Sequence, residues 1–454
     1  MHDRVAAANR RGALDSDGTA AISGRERQAE SISEIVESGL CVGCGLCQAI
    51  AGEKSIRFVM TPEGRERPVQ TGRISRTDWL SIARTCPGMH VAGSDDKGRQ
   101  EQAKIDPVWG PYHDLKLGHA ADAGIRFRAA SGGVLTALGH YLLESGQVKF
   151  ILQVRPSNDH PMRTETVMSR DSASVTASSG SRYGPATPLA TILDALDTGR
   201  PFAFVGKPCD VTALRLYARE DARVEKQCKF MLALVCGGAP EFRKSLDLVH
   251  ELGYEEEDVT LFRYRGFGNP GRTRIEFHDG HAEERTYSEM WADESKWCIQ
   301  ARCKICPDAI GESADIAAAD FWLGGTPSGE DAGFNSIIIR SRRGGQLLSE
   351  AIAAGAIKLT RDVTVEEMSD TQPHQVRKKA NLWARLVGMR AAGHPVPKIE
   401  GLRLSDLARG QSLSELLGNA RGARSRCRDG RLSEPPALAE GNLATNPGSP
   451  AKPE

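Results

Sequence analysis

Three cysteines spaced by two residues, Cys41, Cys44 and Cys47, are the first residues able to do chemistry in this chain. Thiolates at that spacing can wrap one corner of a cubane iron–sulfur cluster. Gly43 and Gly45 between them let the backbone turn sharply around such a group. A zinc site normally uses C-x2-C pairs rather than a run of three. No cysteine follows directly, since the chain reads QAIAGEK there. The next is Cys86, after 38 intervening residues, in Cys86-Pro87-Gly88. Proline after a cluster cysteine is a feature of bacterial ferredoxin motifs. Cys86 is therefore expected to close a first 4Fe–4S cluster. The competing reading is a zinc knuckle or a set of buried thiols.

A second set is dispersed. Cys209 follows the apolar run PFAFVG, and Cys236 follows KFMLALV. Both sit just past the carboxyl end of an expected parallel strand, the edge where open α/β sheets bind ligands. Cys303-x2-Cys306 supplies two more thiols. The four make either a second cluster site or two core thiols beside a zinc-binding pair. Cys298 is a possible substitute ligand, and Cys228 reads as structural. Cys427 lies in a polar terminal stretch and is left out of both sets.

Glycine-rich segments offer sites for a nucleotide cofactor. Gly266–Gly271 satisfies G-x-G-x-x-G, but Pro270 interrupts it and the strand-like RTRIEF follows, so it reads as a hairpin or loop. Ser131, Gly132 and Gly133 open a strongly periodic helix, whose N-terminus could take a phosphate or simply a serine cap. Ser181, Arg182 and Tyr183 lie in a second small-residue loop that could hold a pyrophosphate or a flavin ring, or be a plain loop. Lys207, beside Cys209, could place a charge near a flavin carbonyl or be a solvated lysine. No residue marks itself as the acid or base of a substrate step.

The elements that must position these residues follow from periodicity. SISEIVESGL and ISRTDWLSIART read as helices flanking a hairpin, RFVMTPEGRERPV. From residue 126 to 360 strands alternate with helices: KFILQV, PFAFVG, KFMLALV, IEF, DIAAA, NSIIIR and IKLT against periodic segments such as SGGVLTALGHYLLESGQV. That alternation implies an α/β fold, with a mostly parallel or mixed sheet flanked by helices. The expected organisation is a disordered leader (1–30), a ferredoxin-like 4Fe–4S unit (31–91), a linker (92–125), the α/β domain (126–360), a C-terminal helical region (361–420) and a disordered tail (421–454).

Composition narrows the function. The 454 residues carry 59 basic and 59 acidic side chains, so no net field holds a nucleic acid. No apolar run reaches the roughly 18 residues that span a bilayer, and the start lacks a secretory h-region. Eleven cysteines in such a chain favour metal ligation over disulfides and a cytoplasmic protein.

In order and joint occurrence, CVGCGLC (41–47), CPG (86–88), SGGVLTAL (131–138), SGSRYG (179–184), GKPCDVTALR (206–215), VCGG (235–238), RYRG (263–266) and RCKICPDAIGESADIAAADFW (302–322) resemble the coenzyme F420 hydrogenase/dehydrogenase beta subunit family. That family includes 7-hydroxymethyl chlorophyll a reductase and a ferredoxin-dependent divinyl chlorophyllide reductase. The resemblance spans roughly residues 36–360. It implies FAD bound without a Rossmann fingerprint, next to a 4Fe–4S cluster on Cys209, Cys236, Cys303 and Cys306. It also implies that Ser131–Gly133 and Ser181–Tyr183 lie at the flavin. Members with an N-terminal ferredoxin-like motif, as here, resemble the ferredoxin-dependent reductases.

The expected function is an oxidoreductase relaying single electrons from ferredoxin, or another one-electron carrier, through two 4Fe–4S clusters to FAD and an organic acceptor. Clusters pass one electron at a time and a flavin takes one or two, so the pair interconverts single electrons and hydride equivalents. The alternatives are an electron-input subunit oxidising reduced coenzyme F420 and a zinc-stabilised binding module. A homo-oligomer or a place in a larger complex is compatible with either redox reading.

Overall fold

The computed structural model describes residues 27–327 and 329–438. Its centre is an eight-stranded sheet: β1 (Asp114–Ala120), β2 (Phe150–Pro156), β3 (Thr164–Ser169), β4 (Phe202–Gly206), β5 (Cys228–Leu234), β6 (Ile316–Asp320), β7 (Asn335–Ile339) and β8 (Ile357–Asp362). The spatial order is β8-β1-β7-β6-β5-β4-β2-β3. The β2–β4, β4–β5 and β5–β6 pairs are parallel. The other four are antiparallel, so the sheet is mixed.

The parallel strands are apolar on both faces because both faces are covered. Side chains alternate across a strand. Phe202, Phe204, Met231 and Ala233 therefore enter one core and Ala203 and Leu232 the other. Helices Val134–Glu144 and Arg342–Ala353 cover the second face. The first is covered by helix Pro208–Tyr217 and by Cys44, Leu46 and Ala49 of the N-terminal unit. That unit thus shares the main core.

The N-terminal unit has the expected parts: helices Ile32–Glu37 and Leu46–Ala51, an antiparallel hairpin (Ile56–Met60 with Glu66–Gln70) and helix Arg76–Thr85, which stops at Cys86. Strand Lys398–Glu400 pairs in parallel with His90–Ala92, stitching the C-terminal region to the chain just past Cys86.

Four expectations are corrected. The 92–125 stretch is not a linker, because β1 lies inside the main sheet between β7 and β8. Its alternation, Leu115 and Leu117 buried beside Lys116, is short and bracketed by polar residues. The tail does not begin at 421. Helix Leu413–Arg428 runs through it, and Leu432 and Glu434 are buried. Of the leader, residues 1–26 lie outside the described part, but Ala29 is buried and Arg27 Nη1 donates to Gly393 O at 3.0 Å. The IEF strand belongs to a separate three-stranded antiparallel sheet (Val259–Arg263, Thr273–Phe277, Ala282–Arg285), and Gly266–Gly271 is its hairpin loop, as expected.

Candidate functional site

Cys41, Cys44, Cys47 and Cys86 line one small pocket, with Ile32, Leu46, Phe58 and Ile82 among its apolar walls. The loop wraps this space because Gly43 and Gly45 take φ of +74° and +90°. Gly45 has a second reason to be glycine: a Cβ there would lie 2.5 Å from Ala190 N. The next turn is tied down by Leu189 N–H, which donates to Cys44 O at 2.8 Å. Burial pushes the Cys86 thiol up to about 12, with the neighbouring Cys41 adding to it. Burial, and then the other cysteines, also raise Cys44 and Cys47. Four such thiols in an apolar pocket stay protonated unless a cationic centre takes the sulfurs as thiolates.

Cys209 sits in the first turn of helix Pro208–Tyr217, and Cys236 follows β5. Cys303 is on the short helix Ala301–Lys304, and Cys306 follows it by three residues in the loop. The structure brings these four together. Burial raises Cys209, and Cys236 and Cys306 are among the charges acting on it. Burial pushes Cys236 up to about 12, helped by Cys303 and Cys306. Ala239 N–H donates to Cys303 Sγ at 3.4 Å, and Gln375 Nε2 donates to Cys236 O at 2.7 Å.

Among the described residues, no three His, Cys, Asp or Glu side chains are placed to hold a single metal ion. A tetrahedral zinc needs its sulfurs about 2.3 Å from one centre. In donor chemistry each set offers four cysteine sulfurs, the ligand type of a 4Fe–4S cluster.

The remaining cysteines stay apart. Cys228 is buried, Sγ 3.6 Å from Phe230 O. Cys298 has φ of +48°, and its carbonyl accepts from Glu241 N–H at 3.0 Å. Cys427 is half-buried against the C-terminal helices, an ordered position rather than a loose tail.

Two buried arginines join the sets, and sequence reading missed both. Arg67 Nε and Nη2 donate to Glu434 at 2.6 and 2.8 Å, and Nη2 also to Gln300 at 2.9 Å. Both Cys41 and Cys303 act on its guanidinium. Arg302 donates to Pro87 O at 2.9 Å and Ile305 O at 3.1 Å. No local pattern marks an arginine as buried, but Arg302 abuts a C-x2-C and Arg67 lies in the hairpin facing the first set.

The expected flavin residues divide. Ser131 Oγ donates to Phe334 O at 2.8 Å, and a Cβ on Gly132 would meet Asn335 N at 2.7 Å. The helix cap is Gly133, with φ of +75°, and Asn335 Oδ1 accepts the Val134 N–H at 3.1 Å. That loop is buried and tightly packed. Arg182 is committed to the carbonyls of Pro161, Met162, Arg163 and Phe262. Its guanidinium staples loops. Ser181 is half-buried in the same loop. Tyr183 instead joins an aromatic group: its ring lies 4.5 Å from Trp291, and its hydroxyl accepts from Arg265 Nη1 at 3.3 Å. Arg265, also missed, bonds Asp320 at 3.0 Å and stacks near Trp322 and Tyr287. The indole N–H groups of Trp291 and Trp322 are buried without partners among the described residues. Those open donors lie beside tilted and edge-on rings, an apolar surface with free N–H groups that suits an aromatic ligand carrying acceptor atoms. Asp320 ends β6 two residues past Ala318, whose register partner Leu234 precedes Cys236 by two. The aromatic group and the second set thus share one sheet edge. Lys207 Nζ lies 2.8 Å from Asp210 there. Burial opposes its charge, but Asp210 and the nearby cysteines hold it above the usual lysine range.

The family model for the N-terminal part of coenzyme F420 hydrogenase/dehydrogenase beta subunits matches residues 116–194. The model for the C terminus of the same subunits matches 199–364. Together they cover more than half of the chain. The chain belongs to the coenzyme F420 hydrogenase/dehydrogenase beta subunit family.

Among relatives of this chain is the F420-dependent formate dehydrogenase 1 subunit beta of Methanococcus maripaludis, 26% identical over 53% of this chain and 59% of that protein. The coenzyme F420-dependent sulfite reductase of Methanocaldococcus jannaschii is 23% identical over 74% of this chain and 49% of that protein. The chain spans about 60% of the length of the formate dehydrogenase beta subunits it matches. A chain of the F420-reducing NiFe hydrogenase complex of Methanosarcina barkeri superposes with a TM-score of 0.46 at 20% identity, over 61% of this chain and 95% of that one. The second cysteine set lies within the region matching the beta-subunit models, and the first lies before it.

Proposed function

We propose that this chain is a flavin- and iron–sulfur-dependent oxidoreductase that moves electrons between a one-electron carrier and an organic acceptor. The observation that carries this reading is the pair of buried four-cysteine sets, the second at the sheet edge that also holds the aromatic group. Cys41, Cys44, Cys47 and Cys86 would hold one 4Fe–4S cluster, and Cys209, Cys236, Cys303 and Cys306 the other. Tyr183, Tyr287, Trp291 and Trp322 would enclose FAD. Bound together, clusters and flavin supply conversion between single electrons and hydride equivalents. The residues supply position and charge. Apolar walls keep water from the first set, Asp210 holds Lys207 beside Cys209, and Arg265 fixes the Tyr183 hydroxyl.

Reduced ferredoxin fits as the donor, because the cysteine-bearing N-terminal unit brings its own four-thiol cavity. A second reading makes the chain the electron-input subunit of a larger complex that oxidises reduced coenzyme F420, and the names of its relatives favour it. Among the described residues no helix is long and apolar enough to cross a membrane. Oxygen-sensitive cysteine ligation suits a cytoplasmic setting.

The test is iron, sulfide and flavin content of the full chain purified without oxygen. About eight irons and one FAD support the reading. Zinc with no flavin overturns it. Reduction of coenzyme F420 in steady state would favour the second reading over ferredoxin input.

A further inference from the structure

Arg302 is 2% exposed and lies between the two cysteine sets. One arm of its guanidinium donates to Pro87 O, the residue after Cys86. The other donates to Ile305 O, the residue before Cys306. A single planar group therefore grips the backbone beside one cysteine of each set. It has carbonyl partners and, among the described residues, no ion pair.

Arg67 is the contrast. It also lies between the sets, but the Glu434 carboxylate takes two of its nitrogens and offsets its charge. Arg302 has no such neighbour. A buried cation lacking a counter-ion is costly unless negative charge is placed beside it. Thiolate-bound iron–sulfur centres are anionic, and each becomes more so on reduction, which adds one electron and no proton. Charge and hydrogen bonding around the sulfurs set their potentials.

We propose that Arg302 is a positioning residue shared by both clusters: it fixes the spacing of the Cys86 and Cys306 loops, and its uncompensated charge holds both reduction potentials up together. The inference rests on the reading that both cysteine sets bind clusters. The Arg302 guanidinium stands against the residue after Cys86 and the residue before Cys306, so its charge faces both sets. Lys378, a half-buried cation near the second set, donates to Gly237 O at 3.3 Å, beside Cys236. Of the two buried arginines between the sets, Arg302 is thus the one without a carboxylate partner among the described residues.

The test is a redox titration followed by electron paramagnetic resonance on the reconstituted full chain, with iron measured in parallel. Arg302→Gln keeps a polar amide donor but removes the charge. It is expected to retain wild-type iron while both midpoint potentials shift downward. Arg302→Lys keeps the charge and loses the fork, so its potentials should stay near wild type. Arg302→Gln with full iron and one or both potentials unmoved overturns the proposal. If that variant loses iron, Arg302→Lys decides. Full iron with wild-type potentials supports the charge assignment, and full iron with both potentials lowered refutes it. Wild-type protein that takes up no iron removes the cluster reading underneath, which is a separate failure.

Discussion

Gly206 on β4 and Ala233 on β5 are register partners in adjacent parallel strands, and each precedes a cysteine by three residues. Cys209 and Cys236 therefore leave the sheet at the same height, from neighbouring strands, on the carboxyl edge. Ala317 on β6 pairs with Ala233 as well, so three small residues form one layer under the second cysteine set. A Cβ on Gly311 would lie 2.8 Å from the Ala233 Cβ, which shows how closely the following loop, downstream of Cys306, is drawn onto that layer.

Serine substitutions separate the two sets. Cys303→Ser should lower iron from about eight to about four per chain and slow flavin reduction. Cys44→Ser should remove a similar amount of iron from the other site. Cys427→Ser should leave iron unchanged, because that thiol stands apart among the C-terminal helices. Iron assays and electron paramagnetic resonance spectra read all three. Full iron in both of the first two variants would mean that the ligand sets are wrong.

Gly45→Ala puts a Cβ into the turn at Ala190 and forces a left-handed backbone on alanine. Strain of this kind costs about 1–3 kcal/mol. Denaturant unfolding should show a loss of that size, together with weaker retention of the first cluster. Gly146→Ala is the matched control, with a φ of +73° but no atom within 4 Å of the new Cβ. It should cost less than Gly45→Ala.

Glu434→Ala strands the Arg67 guanidinium in a buried site. Breaking a buried pair from one side costs about 3–5 kcal/mol. Chemical denaturation should show it, although the residue lies in a stretch that reads as tail. A change below about 0.5 kcal/mol, typical of surface substitutions, would mean that the segment does not dock in solution.

Asp315 predicts an acid transition. Burial opposes its charge, but Arg215 and Arg343 outweigh that and bring its pKa from 3.8 down to about 2. Ser341 Oγ and Met231 N–H also donate to it, at 2.7 and 2.9 Å. A depressed carboxylate stabilises the fold above its unfolded pKa and loses that contribution as pH falls through the folded value. The contribution, about 2 kcal/mol, should vanish between pH 4 and 2. Asp315→Asn should flatten the unfolding free energy against pH across that window. An unchanged slope would exclude Asp315 as its source.

Much of the fold was legible because apolar spacing is local. KFILQV, PFAFVG, KFMLALV, DIAAA and NSIIIR are all strands of the main sheet, and SGGVLTALGHYLLE is a helix. Pairing direction was only partly legible. The parallel centre follows from alternating strands and helices, whereas the antiparallel flank depends on β1, whose partners β7 and β8 lie more than 200 residues away. The tail misled for a related reason. Its composition is polar and proline-rich, but Glu434 gains order from a cation 367 residues earlier.

Sequence by itself determined the chemistry on offer: four thiols in a CxxCxxC-plus-CP pattern, two more at strand ends, and a further C-x2-C. Spacing settles such features because ligand and strand geometry act over a few residues. Only the tertiary structure decided that the two sets lie side by side, that Arg182 is spent on carbonyls while Tyr183 joins the aromatic group, and that Arg67 and Arg302 stand between the thiols. Each of those facts depends on burial and on contacts between distant segments. A buried charge is tolerated only where the whole fold supplies its partners, and no local pattern records which partners those are.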